Sequence, residues 1–170
     1  MLLKRTLTAT AFAAISLTTS VQAQAPKAAP AASATTPYGM AIAPDAAKKV
    51  AAAAIAEARK NGWSMAVSIV DTGGYLVYFE RMPDTQLGSV QVSLDKAKSA
   101  ALFRRPTKVF QDAVAGGGDG LRMLGLTGAV PVDGGIPLIV DGKVVGAIGA
   151  SGGTSAQDGQ TAQAGASNVK

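Results

Sequence analysis

Basic and acidic side chains at two places in the sequence have the chemistry to bind a carboxylate. Arg81 and Asp84 lie in the segment Arg81-Met82-Pro83-Asp84, where a predicted strand ends, and Lys96 lies on a predicted helix. A guanidinium binds a carboxylate with two charge-assisted hydrogen bonds, and a neighbouring acid can orient it. The alternative for Arg81 and Asp84 is a turn salt bridge. The alternative for Lys96 is a solvated helix face, and only burial would make it a candidate nucleophile.

Glycines adjoin two further predicted elements. Gly134-Gly135-Ile136-Pro137 enters a strand, and the pattern is that of a bend before an edge strand or of backbone left uncovered at a pocket rim. The segment Gly149 to Thr154, with the sequence GASGGT, opens a helix and could present free amides to an anion. A P-loop would need a lysine in this segment, so a strand-to-helix turn is the simpler interpretation.

The absence of two residue types excludes several kinds of site. The 170 residues contain no Cys and no His. A disulfide framework, a thiolate zinc site and a Ser-His-Asp triad are therefore excluded, and no metal-ligand set is identified. An enzyme with this sequence would have to use Asp, Glu, Lys, Arg, Tyr, Ser or Thr.

The N-terminal residues 1–23 are predicted to be a secretory signal peptide. Lys4 and Arg5 precede an apolar stretch, residues 7–17, that is too short to span a bilayer. Val21-Gln22-Ala23 supplies the small residues of a cleavage site. The mature protein is therefore expected to be periplasmic or secreted, without stable membrane insertion after cleavage.

A flexible linker and one folded domain are predicted to follow the signal peptide. Residues 24–37 are rich in Ala and Pro and contain no aromatic residue, so they cannot form a core, whereas residues 38–170 can. The formal net charge of +5 falls to +3 without Lys4 and Arg5. Nucleic acid is not an expected partner, because the basic residues are scattered and no aromatic platform is interleaved with them.

Hydrophobic periodicity and turn residues predict an α+β fold, with an antiparallel sheet flanked by helices. The two hairpins are indicated by Asp71-Thr72-Gly73-Gly74 and by Asp141-Gly142. Ser89 is the expected N-cap of the second helix, and Thr154 with Gln157, or Ser155 with Asp158, could form the capping box of the last helix. The predicted helices cover 44–61, 89–105, 107–115 and a segment after 153, the strands cover 65–70, 75–79, 136–140 and 143–150, and a loop covers 116–120.

Taken together and in order, these motifs resemble the GlcG/HbpS family, also known as DUF336, and are similar to the C-terminal domain of the PduO proteins. The resemblance covers the chain from about Met40 to the C-terminus. The segments that carry it are Val70 to Leu76, Arg81 to Asp84, Leu94 to Ala100, Phe103, Pro106-Thr107, Gly134 to Pro137 and Gly146 to Gly152.

The resemblance implies a profilin-like or PAS-like fold that assembles into dimers or larger oligomers. It also implies haem as a candidate cofactor, since several members of the family bind haem and are thought to use a His ligand. This chain has no His, so axial His ligation is not available. The substitute ligands in the sequence are a lysine, Met82, Met123, Tyr75 or Tyr78.

The expected function is that of an exported protein that binds a small ligand, haem or another anionic molecule, without His ligation. The expected ligand-binding residues are Arg81, Asp84, Lys96, Gly134 and Gly135. One alternative is an enzyme acting on a small carboxylic acid, with Arg81 as anchor and Lys96 or Asp84 as acid/base group. Another is an assembly protein without a ligand. Self-association is expected for all three functions, through the small apolar helix face that carries Ala47, Ala51 and Ala54.

Overall fold

A computed structural model describes residues 36–170. The predicted signal peptide, residues 1–23, and most of the predicted linker lie outside the described residues. None of the described helices is long and apolar enough to cross a membrane. The helices are α1 (Pro44–Lys60), α2 (Gly88–Phe103), α3 (Lys108–Ala115) and α4 (Ser155–Ala166), and the strands are β1 (Ala66–Val70), β2 (Leu76–Arg81), β3 (Gly135–Val140) and β4 (Lys143–Ser151).

The four strands form one antiparallel sheet in the order β2-β1-β4-β3. Helix α2 packs across β1, β4 and β3 on one face, while α1 and α4 pack on the other. The predicted α+β class is confirmed. Because α2 is centred on β4 and makes little contact with β2, the edge strand β2 is left partly uncovered on that face.

Helix α1 has the apolar stripe that the sequence predicts. Val50, Ala54 and Ala58 are fully buried against the sheet and α4, together with Ala47 and Ala51. The expectation that Ala47, Ala51 and Ala54 mediate self-association is wrong, because these side chains have no exposed surface. Small residues here serve the close packing of the domain's own core.

The hairpin between β3 and β4 follows from its turn residues. Asp141 and Gly142 have φ values of 48° and 71°. Positive φ at both central positions is typical of a type I′ turn, and Asp-Gly is one of the pairs that favour it. The predicted hairpin is confirmed.

Two local predictions differ from the structure. Ser89 does not cap α2, which begins at Gly88 with Leu87 at the N-cap position and no side-chain cap. The hydroxyl of Ser89 is instead buried and bonded to that of Ser151, 3.1 Å away. The loop predicted at 116–120 continues into a 3₁₀ helix, Gly118–Gly125, with the amide of Leu126 bonded to the carbonyl of Met123 at its end.

Candidate functional site

Lys96 forms the centre of a buried polar cluster between α2, β4 and α4. Its Nζ donates to Asp158 Oδ2 at 2.7 Å and to the carbonyl oxygen of Ala150 at 3.2 Å. The exposed fractions of the two ion-paired side chains are 1% for Lys96 and 4% for Asp158. The interpretation of Lys96 as part of a solvated helix face is therefore wrong.

The carboxylate of Asp158 accepts hydrogen bonds on both oxygens. The amide of Gly153 donates to Oδ1 at 2.9 Å, while Lys96 holds Oδ2. Burial raises the pKa of Asp158 above its usual value. The hydrogen bonds from Lys96 and the Gly153 amide oppose this effect but do not cancel it. The pair joins α2 to the beginning of α4 through the protein interior.

Gly134 and Gly135 lie directly against Lys96. A Cβ at Gly134 would lie 3.0 Å from Lys96 Nζ and 2.6 Å from the Ala150 carbonyl oxygen, and the φ of Gly134 is 119°. The amide of Gly135 donates to Thr107 Oγ1 at 2.9 Å. Both glycines are buried. Their position is explained by the close approach of this segment to α2 and β4, and they do not form an uncovered rim.

Serines extend the polar contacts of α2 toward its N-terminal end. Ser93 Oγ lies 2.8 Å from Ser68 Oγ on β1, and Ser89 is bonded to Ser151 on β4. With Lys96, these residues lie on the sheet-facing side of α2 and are buried. Each of these four serine hydroxyls has a hydrogen-bond partner. The bonds between them therefore fix the position of α2 on the sheet.

The sheet-facing cluster leaves no direct access to the Lys96 amine. A substrate would reach Nζ only after the Lys96–Asp158 ion pair had opened, and opening would leave a buried carboxylate without its cation. Lys96 and Asp158 together have the geometry of a structural link.

Arg81 and Asp84 are both exposed and are not joined by an ion pair. In residues 36–170, no carboxylate lies within ion-pair distance of the Arg81 guanidinium. Asp84 has a φ of 62° in the loop that follows β2. The turn-salt-bridge interpretation of this pair is therefore wrong, and the Arg81 guanidinium faces solvent.

The register of the sheet shows what surrounds Arg81. Arg81 pairs with Ala66, and Phe79 pairs with Ser68, whose hydroxyl is bonded to α2. Residues directly opposite in an antiparallel pair share a face, so Arg81 and Phe79 lie on the α2 side of β2. We call Leu76, Phe79 and Arg81, on the α2 side of β2, the β2–α2 strip. Two of its residues are apolar and incompletely buried, and it ends in a cation that has no ion-pair partner within residues 36–170.

The residues that could replace His as iron ligands are dispersed. Met82 packs against the main core, Met123 lies in the 3₁₀ helix and Tyr75 is 75% exposed beside the β1–β2 turn. Tyr78 donates to Glu80 Oε2 at 3.2 Å, and burial raises its pKa, which opposes the phenolate that iron would bind. In the part of the chain that the structure describes, no group of three or more acidic residues could hold a metal ion.

The glycine segment before α4 is a strand-to-helix turn. Thr154 and Gln157 form the capping box, the first of the two predicted pairs. The Gly153 amide, which an external anion would use, is bonded to Asp158. The protein's own carboxylate therefore occupies this candidate anion site.

Asp158 is a residue of this cluster that the sequence does not predict. The sequence indicates Asp158 only as half of a capping box, because sequence spacing gives no sign that α2 and α4 meet. The available signal was a lone acid in the first turn of α4, with a lysine on a helix that is otherwise rich in small residues.

Comparisons with known proteins agree with this fold. The family model described as "Haem degrading protein HbpS-like" matches residues 42–167. The chain is 38% identical over 105 residues to the protein GlcG of Escherichia coli K12, covering 62% of this chain and 77% of that protein. It is 41% identical over 115 residues to an uncharacterized 15.0 kDa protein of Citrobacter freundii, covering 66% and 81%.

Solved structures extend the agreement to three dimensions. The complex of PduOC with haem is similar at a TM-score of 0.69 and 30% identity, covering 77% of this chain and 96% of that one. A double mutant of HbpS from Streptomyces reticuli is similar at a TM-score of 0.71 and 28% identity, covering 85% and 99%. The resemblance proposed from the sequence motifs is confirmed.

Proposed function

Because the chain belongs to the HbpS-like family, we propose that it is an exported protein that binds haem, or another small apolar anion, without a His ligand. The ligand would be held by its apolar face and its carboxylates more than by its metal. Support for haem comes from the similarity to PduOC, which was solved as a haem complex.

The observation that carries the proposal is the guanidinium of Arg81, which forms no ion pair within residues 36–170 and lies beside an apolar surface. Arg81 is exposed, and Phe79 and Leu76 lie next to it along the same side of β2. A haem propionate is a carboxylate on an apolar ring, so the β2–α2 strip offers complementary groups to both parts. A bidentate contact of this kind contributes about 1.5–3 kcal/mol when it is sheltered from water.

The other predicted ligand-binding residues have different roles in this proposal. Asp84 lies in the loop after Arg81, where it would orient the guanidinium toward a bound carboxylate. Lys96, Gly134 and Gly135 would hold α2 against the sheet and would not touch the ligand. The carboxylic-acid enzyme is the less supported alternative. One of its two candidate acid/base groups, Lys96, is buried and ion-paired, and the other, Asp84, forms no ion pair with the anchor Arg81.

Export and self-association complete the proposal. Export rests on the basic, apolar and small-residue succession of residues 1–23, and N-terminal sequencing of material recovered outside the cytoplasm should begin at Gln24.

Self-association would use exposed apolar residues, such as Leu121, Leu124 and Leu126, rather than the buried alanines of α1. Light scattering at tens of micromolar should give a mass above that of one mature chain.

Haem and iron-free protoporphyrin IX should bind the wild-type protein with similar, micromolar affinity, because no strong axial ligand is lost when iron is absent. Arg81→Ala should weaken both by about tenfold, the low end for a charged hydrogen bond at an exposed site. Absorbance titration measures all of these affinities, and the haem spectrum should differ from that of a bis-His complex.

Arg122→Ala is the matched control, because Arg122 is also exposed but lies on the 3₁₀ helix, where it pairs with Asp119. It should leave both affinities within twofold of wild type. Nanomolar binding that depends on iron would show that a Met, Tyr or Lys ligates the metal, and would contradict the proposal. So would the absence of saturable binding of either tetrapyrrole.

A further inference from the structure

Two adjoining clefts lie at the N-terminal end of α1, away from the β2–α2 strip. One has a volume of about 200 Å³ and the other about 270 Å³, and Ala46 and Lys170 line both. The smaller is lined by mainly apolar residues: Met40, Ala41, Ile42, Ala43, Ala46, Val140, Val145, Val169 and Lys170. The larger is lined by Ala46, Lys49, Asn168 and Lys170.

One wall of the apolar cleft is held in place by backbone hydrogen bonds. The segment before α1 lies along the beginning of β4, where the amide of Gly39 donates to the carbonyl of Val144 and that of Ile42 to the carbonyl of Val145, both at 2.8 Å. Ile42 is 7% exposed and belongs to the main core, whereas Met40 is 89% exposed. A fixed apolar wall with a large exposed thioether side chain at its edge favours an apolar ligand.

The larger cleft adds cationic and amide groups beside this wall. Lys49 lies on α1 and forms no ion pair within residues 36–170, even with Asp45 one turn before it. Asn168 uses its amide nitrogen for the carbonyl of Ala164 at 2.8 Å, and its side-chain oxygen only accepts hydrogen bonds, so the Lys49 ammonium is the group here that favours an anion. A carboxylate would be attracted to Lys49.

We propose that the two clefts form one site for a small amphipathic monocarboxylate, whose apolar body lies against Ile42 and Val145 and whose carboxylate meets Lys49. The site is distinct from the proposed haem surface and does not depend on it. A cavity of roughly 150 Å³ accommodates benzene, so the apolar cleft accommodates an aromatic ring with a short alkyl substituent.

Isothermal titration of 4-ethylbenzoate into the protein isolated from its host tests this site. The neutral 4-ethylbenzamide has the same body without the charge and should bind more weakly. Lys49→Gln should weaken binding of the carboxylate about two- to fivefold, as expected for an exposed ion pair, and should leave binding of the amide unchanged.

Lys48→Gln is the matched control, because Lys48 is the exposed neighbour of Lys49 on α1 but lines neither cleft. It should not change binding of either probe. For the apolar wall, Val145→Thr should weaken both probes alike, and Ile139→Thr, at an exposed position of β3 outside the clefts, should weaken neither. The proposal is overturned if neither probe binds saturably, if the amide binds as tightly as the acid, or if Lys48→Gln and Lys49→Gln have equal effects.

Discussion

Lys96 and Arg81 are two cations near the same end of one sheet, and they differ in burial and in pairing. Lys96 donates a hydrogen bond to the carbonyl of Ala150 on β4. The next residue of β4, Ser151, pairs with Ala66 of β1, which in turn pairs with Arg81 of β2. Lys96 is buried against an anion of the same chain, whereas Arg81 is exposed and has no ion-pair partner in the described residues.

This difference separates a charge that maintains the fold from a charge that can recognise a ligand. A buried lysine has already exchanged its hydration for Asp158 and the Ala150 carbonyl, so it has little to offer another molecule. The Arg81 guanidinium keeps its donors free.

The largest expected effect comes from removing one partner of the buried pair. Lys96→Met should lower the free energy of unfolding by about 3–5 kcal/mol, because it leaves the Asp158 carboxylate buried without a cation. Chemical denaturation measures this loss. The double variant Lys96→Met/Asp158→Leu should recover most of it, and a double variant no more stable than the single one would contradict the structural role of the pair.

A smaller loss should follow from crowding the same region. A Cβ added at Gly135 would approach the main-chain carbonyl of Lys96, so Gly135→Ala should lower the free energy of unfolding by about 1–3 kcal/mol. Gly88→Ala is the control, since a Cβ there meets open space at the start of α2. Denaturation of this control should show no loss of stability, and equal effects of the two changes would contradict the packing described for Gly135.

The sequence predicted the elements of the fold well because their signals are local. The Asp141-Gly142 turn, the apolar stripe of α1 and the Thr154–Gln157 capping box each depend on residues close together in the chain. Ser89 is the instructive exception. Its type suits an N-cap, but a hydrogen bond to Ser151, distant in the sequence, takes its hydroxyl into the interior.

The candidate site was harder to predict because burial is not a local property. The sequence places Lys96 and Arg81 in one predicted ligand-binding set, although tertiary packing buries Lys96 and exposes Arg81. The sequence of Gly134 and Gly135 indicates a bend before an edge strand or an uncovered pocket rim, and both glycines are buried. Only the approach of α2 shows that they make room for Lys96.

The pH dependence of stability should reveal the buried carboxyl. Burial raises the pKa of Asp158 in the folded state, so the folded protein binds its proton more tightly than the unfolded chain does. This group should therefore make the free energy of unfolding fall as pH rises from about 3.8 through the folded pKa, and then level off. Denaturation of wild type and Asp158→Asn across this range should give a difference in unfolding free energy that follows this slope, because the other carboxyl groups, such as Glu57, contribute alike to both proteins. A slope of opposite sign would mean that the attraction of Lys96 outweighs burial.

The most direct test of the division between the two cations is the increase in unfolding free energy produced by protoporphyrin IX. At a concentration one hundred times the dissociation constant, a ligand adds about 2.7 kcal/mol to the wild-type protein, and a tenfold weaker affinity reduces this to about 1.4 kcal/mol. The account predicts the smaller increase for Arg81→Ala, with unchanged stability in the absence of ligand, and the full increase for Lys96→Met/Asp158→Leu. Loss of the ligand-induced increase in the double variant, with the full increase retained in Arg81→Ala, would contradict it.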